Sequence, residues 1–524
     1  MTRYLLGRIV RGILSAFVVV AVVMVMIYSF LDKQSIFAND PAFAKQKSNA
    51  KQVYQMQEWE RYGYLEYIPY GDYVQQQVNE GKIRPEEFES YAKIGDTPSR
   101  DNPQAGQAIR EFTAHYESLG YTVTRLPADT MGNTNKYKEG GAPRLYAHRD
   151  IPLTTRLYRY LTGLITVDHI HAVQEDVGER GLSFTLYDPI YGGERFSPAI
   201  MGNGTRHKYL LYCDHRFPFV HQNLVQVNLG ISYSVNKGVD VFDTMTAGQG
   251  DFDKRTVTYP TGVTEETADD LHSAVYVPNS LETNPMNKKY FVDNYTGVTT
   301  AKKGLSQLGY SFSIGVLAVL LTYAIAIPFG IAMARHKEKL TDKLGTFYII
   351  FIMAVPSLGY IFLFKSLGAA LGLPVTFDMQ NPTWVMYVLP IVSLALPSIA
   401  NLLKWLRRYM IDQMGSDYVK FARSSGISEK EIFSRHILKN AAIPVVHGIP
   451  AGVLGALTGA IITERVYLVP GVGNLLTNAI NGYDNGVIVG VTLFYALLSV
   501  TATILGDVLL SVADPRISFG TKGR

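Results

Sequence analysis

Residues 417–444 read DYVKFARSSGISEKEIFSRHILKNAAIP and lie between two long apolar segments. Four positions recur at i, i+3, i+4 and i+7, the spacing of one helical face: Tyr418, Phe421, Ala422 and Ser425. The basic residues Lys420 and Arg423 flank this face. The pattern predicts a short amphipathic helix that carries a narrow aromatic stripe.

A glycine separates this helix from a second predicted helix. Gly426 stands where a helix C′ residue adopts a positive φ, which glycine does without steric cost. Ser428 to Glu431 has the S-x-x-E spacing of a capping box, which starts a helix that continues through Leu438. Two interpretations remain open on periodicity alone, because such a helix pair can lie on a lipid surface or face a cytoplasmic protein partner.

Six uncharged apolar runs predict membrane-spanning helices, since each can cross about 30 Å of hydrocarbon. They are residues 12–31, 308–334, 344–364, 381–403, 440–463 and 486–506. A cleaved signal peptide is the alternative for the first run, but its 20 uncharged residues and the lack of a small-residue cleavage site favour a retained helix. The mean hydropathy of +0.05 fits a chain with both membrane and water-exposed parts.

The distribution of Lys and Arg predicts the orientation in the membrane. Basic residues cluster at the N-terminus, in residues 335–343 and in residues 404–439. Residues 371–383 contain no basic residue, and residues 464–485 contain only Arg465. Both termini are therefore expected in the cytoplasm. The net charge of +4 mostly reflects this asymmetry, and no basic block suggests nucleic acid.

The same alternation places residues 32–307 outside the cell as a folded α+β domain, with strand-like runs after helical residues 40–110. Its single Cys213 excludes an internal disulfide. Six of the eleven histidines fall between His148 and His221. A zinc site would need tetrahedral convergence of these side chains, and scattered histidines are the favoured interpretation.

The predicted organisation has four parts. Residues 1–31 form the cytoplasmic N-terminus and first transmembrane helix, and residues 32–307 form the extracellular domain. Residues 308–517 form a five-helix core with a cytoplasmic loop at 404–443, and residues 518–524 form a cytoplasmic tail.

Several residues inside the apolar runs suggest a path through the membrane. Prolines predict kinks: Pro328, Pro356, Pro390, Pro397 and Pro450. Small residues permit close helix approach and suit a subunit interface: Gly452, Gly455 and Gly459. His447 is expected to face the protein interior or a wet cavity. Glu464 is interpreted as an interfacial charge near a gate that pairs with Arg465.

Longer motifs carry a family resemblance. Residues 418–426, Y-V-x-x-A-R-x-x-G, resemble the coupling loop of peptide-type ABC importer permeases. Residues 464–473 look like the E-x-V-F-x-x-P-G-x-G segment of that family, and Asp514-Pro515-Arg516 looks like its terminal D-P-R. The chain is thus similar, over roughly residues 1–31 and 300–517, to the first permease subunit of oligopeptide importers, the OppB or AmiC type.

Two segments depart from the family pattern. The general importer signature E-A-A-x3-G reads Lys420-Phe421-Ala422-x3-Gly426 here, without the acidic residue, as is common in the peptide subfamily. Leu229, Gly230 and Ser232 look like the G-D-L-G-x-S segment, but Asn228 replaces its Asp. A turn between strands is the alternative interpretation of that segment.

The resemblance implies an α-helical polytopic membrane protein of the type I ABC importer permease class, with six transmembrane helices and a large inserted α+β extracellular domain. It implies a set of ATPase-coupling residues: Asp417, Tyr418, Phe421, Ala422, Arg423, Gly426, Ser428 and Glu429. A gate or translocation path is expected near four others: His447, Glu464, Pro470 and Gly471.

The resemblance also implies partners. These are a sister permease subunit, two cytoplasmic ATPases that hold ATP and Mg²⁺, an extracellular peptide-binding lipoprotein, a peptide substrate and the lipid of a bacterial, Gram-positive cell membrane. No cofactor or metal is expected in this chain.

The expected function is ATP-driven import of oligopeptides, with ATP hydrolysed by the partner subunits. The chain has no P-loop, HExxH, GxSxG or CxxC motif. A permease for dipeptides or metal chelates is the alternative. A membrane-anchored receptor would need a cytoplasmic effector domain, and an ion-coupled transporter would need intramembrane acids, which the six runs lack.

Overall fold

The computed structural model describes residues 2–94, 103–126, 145–214 and 220–513. The expected terminal D-P-R motif, the 518–524 tail and His215 lie outside the described residues.

An α+β domain follows the first helix, α1 (Thr2–Phe30). Its helices are α2 (Pro41–Lys45), α3 (Ser48–Arg61), α4 (Tyr70–Asn79), α5 (Phe88–Ile94), α6 (Pro103–Ser118), α7 (Leu153–Gly163), α8 (Val241–Thr246) and α9 (Ser280–Thr283). Its strands are β1 (Leu65–Pro69), β2 (Thr122–Arg125), β3 (Leu145–Asp150), β4 (Ile165–Val167), β5 (Gly181–Thr185), β6 (Ala199–Asn203), β7 (Tyr209–Cys213), β8 (Val220–Gln222), β9 (Val225–Val227), β10 (Arg255–Thr258), β11 (Thr264–Thr267), β12 (Asp269–Tyr276) and β13 (Thr296–Thr300). The expected mixture of helices and strands is confirmed.

All described strand pairs are antiparallel. The described sheets are three-stranded (β1-β3-β2), four-stranded (β5-β6-β7-β8) and three two-stranded pairs (β4-β9, β10-β11 and β12-β13). Aromatic side chains fill the core between the three-stranded sheet and α4 and α6, where Phe112 is completely buried. This domain, residues 32–307, is called the ectodomain below, after the outside location that the pattern of Lys and Arg predicts for it.

Ten helices follow the ectodomain within the described residues. They are α10 (Gln307–Arg335), α11 (Leu340–Ala354), α12 (Ser357–Ala370), α13 (Val388–Met414), α14 (Asp417–Ser424), α15 (Glu429–Glu431), α16 (Lys439–His447), α17 (Ile449–Tyr467), α18 (Val472–Asn481) and α19 (Asn485–Ala513). A π-helix covers Ile432–Leu438, and short 3₁₀ helices cover Lys33–Phe37, Pro85–Glu87, Pro189–Tyr191, Pro285–Lys289 and Trp384–Tyr387.

Five helices in the described part of the chain are long and apolar enough to cross a membrane: Leu6–Phe30, Gln307–Arg335, Trp384–Met414, Ile449–Tyr467 and Asn485–Ala513. The pair α11 and α12 supplies a sixth span when its two halves are taken together. With that pair included, the number of spans matches the six predicted apolar runs.

The kink expected at Pro356 is confirmed, because α11 and α12 are bent by 109° at a short break, so the run over residues 344–364 is not one straight helix. Val355 has extended backbone before Pro356, as the proline ring requires of the preceding residue. The run over residues 440–463 is likewise interrupted at Gly448, between α16 and α17. Pro450 occupies the first turn of α17, where the missing N–H costs little.

The helices after the ectodomain pack around α10, which lies along α13 and α17. Small residues bring these helices close: a Cβ at Gly330 would lie 2.9 Å from Leu406 Cδ2. Gly455, by contrast, would have no described heavy atom within 4 Å of an added Cβ. The close approach expected of the α17 glycines is therefore not made at Gly455 by helices of this chain.

A second apolar cluster joins α1, α18 and α19 to ectodomain residues. Leu229, Val241 and Met245 are buried in it together with Val20 of α1 and Val487 of α19. The segment with the partial G-D-L-G-x-S match therefore packs on membrane-spanning helices. The alternative, an isolated turn between strands, does not describe its environment.

Candidate coupling surface and gate

The first half of the coupling segment, residues 417–439, folds as the pattern predicts. Helix α14 ends at Ser424, and Gly426 follows with φ of 77°. Its N–H donates to the carbonyl of Arg423 at 3.0 Å, and the N–H of Ile427 donates to that of Ala422 at 3.3 Å. The left-handed C′ glycine is confirmed.

The second half of the coupling segment is helical, but only its start has the expected α-helical form. Ser428 caps α15 and accepts from the N–H of Glu431 at 3.4 Å. The expected helix does continue through Leu438, but Ile432–Leu438 form a π-helix rather than an α-helix. Ile432 and Ile437 are both buried, and their five-residue separation matches the i→i+5 repeat of a π-helix. That spacing was the available sequence signal.

The predicted stripe on α14 is divided between two environments. Ala422 and Val419 are buried in one apolar cluster with residues of the π-helix, α10 and α13. Phe421 is 73% exposed, and Tyr418 is 38% exposed. The hydroxyl of Tyr418 donates to Gln413 Oε1 at 2.5 Å and accepts from Asn440 Nδ2 at 3.0 Å. The buried pair anchors the helix, and Phe421 projects from it.

Exposed ion pairs surround Phe421. Arg423 pairs with Glu429 at 2.7 Å across the Gly426 turn, and Lys420 pairs with Asp417 at 2.8 Å. The hydrogen bond from Lys420 lowers the pKa of the Asp417 carboxyl. Pairs this exposed contribute little to stability, so these charges are available to a partner surface.

A half-buried ion pair ties the end of α13 to α11. The guanidinium of Arg407 donates from Nε to Asp342 Oδ1 at 2.5 Å and from Nη2 to Asp342 Oδ2 at 2.8 Å. Asp342 also accepts from the N–H of Glu338 at 2.8 Å. Sequence reasoning missed this pair, because residues 65 apart gave no local pattern.

The predicted gate residue Glu464 is completely buried, not interfacial. Its carboxylate accepts from Ser311 Oγ at 2.6 Å and from the N–H of Asn474 at 3.1 Å. The expected pairing with Arg465 is wrong, because Arg465 donates outward to Asn474 and Asn478. Burial excludes water from the Glu464 carboxylate, and the hydrogen bonds from Ser311 and Asn474 compensate for that loss.

The glycines of the P-G-x-G turn make room for that carboxylate. A Cβ at Gly471 would overlap the Glu464 carboxylate, and one at Gly473 would lie 2.8 Å from Glu464 Oε2. Pro470 and Gly471 are both buried between α17 and α18. Glu464, Pro470 and Gly471 are thus brought together. The glycines of the motif form a cradle, a space without side chains that the carboxylate of Glu464 fills.

The bent pair α11–α12 contacts the end of α17 beside this cradle. Lys365 donates to the carbonyl of Val466 at 2.6 Å, and the buried Tyr467 hydroxyl lies 2.9 Å from Ser393 Oγ.

The predicted path residue His447 lies elsewhere, at the end of α16. Its Nδ1 is 2.9 Å from the carbonyl oxygen of Gly506, so it faces the protein interior at α19.

Asp484, which sequence reasoning did not single out, fastens the ectodomain to the last helix. It is completely buried in the loop between α18 and α19. Its Oδ2 accepts from Ser232 Oγ at 2.8 Å and from the successive N–H groups of residues 233, 234 and 235 at 2.8, 2.7 and 3.2 Å. Such converging amides form an anion-binding nest.

The ectodomain histidines that the structure describes do not converge on a metal site. No group of three or more His, Cys, Asp or Glu side chains in the described residues could hold a metal ion. His207 instead pairs with Asp168 at 3.1 Å, and His221 stacks on Tyr212. Burial alone would raise the pKa of Asp168, but hydrogen bonds from His207 and the backbone lower it overall. Asp188 and His272 form a completely buried pair at 2.5 Å.

Comparison with known proteins extends these observations. Residues 326–519 match the family model described as binding-protein-dependent transport system inner membrane component. The oligopeptide transport system permease protein AmiC of Streptococcus pneumoniae serotype 4 is 32% identical over 530 residues, which cover 100% of both chains.

Two shorter relatives match part of the chain. The dipeptide transport system permease protein DppB of Lactococcus lactis subsp. cremoris is 30% identical over 43% of this chain and 73% of its own. The oligopeptide transport system permease protein AppB of Bacillus subtilis is 26% identical over 43% of this chain and 76% of its own.

The similarity to solved structures is low. A crystal structure of an amino acid ABC transporter with histidines covers 40% of this chain and 92% of its own, with 17% identity and a TM-score of 0.31, too low to support an argument. The full-length similarity to AmiC and the matched domain confirm the expected fold class, a polytopic type I permease with a large insertion. The chain therefore belongs to the family of binding-protein-dependent transport system inner membrane components.

Proposed function

We propose that the chain is a permease subunit of an ATP-driven ABC importer and takes up oligopeptides by alternating access. The observation that carries the substrate class is the similarity to the oligopeptide permease AmiC, which extends over all of both chains. Partial matches do not separate the substrate classes, because a dipeptide permease and the oligopeptide permease AppB each match 43% of this chain. The full-length similarity to AmiC is what favours oligopeptides over the alternative substrates, dipeptides and metal chelates.

The proposed orientation places both termini and residues 404–443 in the cytoplasm and the ectodomain outside. It rests on the positions of Lys and Arg. The cell membrane of a Gram-positive bacterium is the proposed location, and full-length similarity to a protein of Streptococcus pneumoniae supports it.

The proposed partners are a sister permease, two ATPases that bind ATP and Mg²⁺, and an extracellular peptide-binding lipoprotein. The open face of α17 at Gly455 suits the sister subunit. The exposed ring of Phe421, on a helix anchored by buried neighbours, suits a groove on an ATPase. We further propose that the ectodomain contacts the lipoprotein.

In this proposal the coupling segment transmits ATPase closure to the membrane helices. Val419 and Ala422 share an apolar cluster with the π-helix and with the ends of α10 and α13, so displacement of α14 is transmitted to these helices through that cluster. Alternating access then follows as a rigid-body rotation of packed helices. Glu464, Pro470 and Gly471 hold the turn between α17 and α18 at the opposite end, where a gate would open.

Phe421→Asp tests the coupling surface. We expect it to abolish peptide-stimulated ATP hydrolysis and to release the ATPases, because a buried aromatic anchor at an interface centre contributes roughly 2 kcal/mol or more. Phe421→Leu, which keeps an apolar side chain, is the matched control, and most of the ATPase subunits should stay bound to it. ATPase retention on the purified complex and membrane insertion are measured together. Bound ATPases with impaired insertion would instead support the lipid-surface interpretation.

Reconstituted transport tests the substrate class. The complex is purified from its native membrane, its subunits are identified by mass spectrometry, and uptake into proteoliposomes is measured with a labelled oligopeptide, a dipeptide and a metal chelate. Oligopeptide uptake that requires ATP is the expected result. Uptake of the dipeptide or the chelate alone would contradict the proposal.

A further inference from the structure

A recess lies where the ectodomain meets the membrane-spanning helices. Met24 and Tyr28, near the end of α1, form one wall, and Gly486 and Val489, at the start of α19, form another. Helix α7 and the loop at Gly230 complete it. Because α1 and α19 are both candidate membrane spans, the recess sits at the membrane surface on the ectodomain side.

Three arginines line the recess, Arg61, Arg156 and Arg159, and none of its described lining residues is acidic. The guanidinium carbon of Arg156 lies 3.7 Å from the ring centroid of Tyr28 and 4.0 Å from that of Tyr64. Among the residues that the structure describes, no carboxylate forms an ion pair with Arg156. The rings hold this guanidinium in place without neutralising it.

The other two arginines are only partly neutralised. Arg159 lies 3.3 Å from Glu66, but that carboxylate also pairs with Arg149 at 2.8 Å. Arg61 lies 3.8 Å from Glu58, which also pairs with Lys237 at 3.3 Å. Each carboxylate is thus shared between two cations, and the recess keeps an excess of positive charge.

The helix beside the recess faces lipid. Near its end α1 exposes Val25, Met26 and Phe30, the last of which is 81% exposed. Tyrosines such as Tyr28 and Tyr160 place amphipathic rings at this level, as in the aromatic belt of membrane proteins. An anion that occupies the recess can therefore carry an acyl chain along α1.

We infer that this recess binds the headgroup of an anionic phospholipid. The phosphate is held by Arg61, Arg156 and Arg159, and the acyl chains lie against the exposed face of α1. The cavity volume of about 250 Å³ suits a headgroup, because pockets for whole drug-sized ligands measure about 300–1,000 Å³. This inference does not depend on which substrate the transporter carries.

The experiment uses the full chain in detergent, stripped of lipid and titrated with dioleoyl phosphatidylglycerol or dioleoyl phosphatidylcholine. Native mass spectrometry measures bound lipid, and thermal unfolding measures stabilisation. We expect phosphatidylglycerol to bind at least about tenfold more tightly than phosphatidylcholine, since charge-assisted hydrogen bonds favour the anion. Arg156→Gln should remove that preference.

Two further variants separate binding from folding. The double variant Arg61→Gln/Arg159→Gln alters exposed side chains and should fold normally while it loses phosphatidylglycerol. Lys51→Gln is the matched control, because Lys51 also lies over an aromatic ring, at 4.4 Å from the ring centroid of Phe43, but among the described residues it neither lines the recess nor shares a carboxylate with its arginines. It should bind lipid like the wild type.

Several outcomes would overturn the inference. These are equal affinity for both lipids, unchanged binding in the double variant, or a loss as large in Lys51→Gln. Glycerol 1-phosphate that binds as tightly as the lipid would assign the recess to a free phosphate ester. Displacement of the lipid by an oligopeptide would assign it to a peptide carboxylate.

Discussion

Gly426 shows how one backbone angle positions a surface. Its φ of 77° lies in the left-handed region, and no described heavy atom would lie within 4 Å of an added Cβ. A side chain there would therefore not push α14 and α15 apart. The cost of substitution is backbone strain only.

That distinction gives a prediction at Gly426. We expect Gly426→Val to reduce coupled ATP hydrolysis about fivefold, from strain on the order of 1 kcal/mol at the turn. Gly426→Asn should stay near the wild-type rate, because asparagine tolerates the left-handed region. ATP hydrolysis by the purified complex is measured for both variants. Equal losses would show that side-chain volume, and not backbone angle, is what matters.

Glu464 and Gly471 give a second residue-scale prediction. Gly471→Ala should destabilise the protein by about 1–3 kcal/mol, since its Cβ would overlap the buried carboxylate. Adding Glu464→Ser removes the overlapping atoms, so the double variant should lose less than the sum of the two single losses. Thermal unfolding in detergent measures all three. Additive losses would mean that the two residues act independently.

The local chemistry of the coupling segment could be read from its sequence, whereas contacts between distant residues could not. The glycine turn and the Ser428 cap depend on neighbours within four residues, and both are confirmed. The burial of Glu464 could not be inferred, because its donor Ser311 lies 153 residues away. From sequence alone, a charged residue at the end of an apolar run is interpreted as lying at the membrane interface, because hydrogen-bond donors from distant parts of the chain that allow it to be buried cannot be identified.

At the scale of elements, the apolar runs predicted the number of spans better than their shape. A run of uncharged residues indicates that a segment can enter lipid, but it does not determine whether the helix is straight. Pro356 therefore turns one predicted span into α11 and α12, bent by 109°. The π-helix after α15 was also missed, since both kinds of helix bury residues about one turn apart.

The contact between the ectodomain loop and α19 depends on Asp484. We expect Asp484→Asn to raise hydrogen exchange at residues 232–235, because a neutral amide oxygen is a weaker acceptor for the converging N–H groups than a carboxylate. The loss in stability should be about 2 kcal/mol or more, the cost of a damaged buried network.

Asp378→Asn is the control for this prediction. Asp378 is exposed and also accepts from backbone N–H groups, at 2.9 Å from Gln380 N and 3.4 Å from Asn381 N. Its replacement should leave exchange at residues 232–235 unchanged. Normal protection in Asp484→Asn would show that apolar packing alone holds the loop.

At the scale of the whole molecule, the proposed orientation makes a labelling prediction. Ser280 lies between strands on the proposed outer side but is buried, so the exposed Thr283 is the better position. In a Cys213→Ser background, Thr283→Cys should react with a membrane-impermeant reagent on intact cells. Lys430→Cys, exposed in the coupling segment, should react only after permeabilisation. Reaction of both positions from the same side would rule out this topology.

The nest around Asp484 also bears on the order in which the chain is made. Ser232 precedes its partner Asp484 by 252 residues, and Tyr64 precedes Asn485, which donates to its hydroxyl, by 421. At a synthesis rate of about 5–20 residues per second, Asp484 is synthesised roughly 10–50 s after the loop at residues 232–235 that it binds. In the proposed orientation, the ectodomain therefore crosses the membrane before its base is covered. Helix α19 thus completes a domain that is synthesised before it.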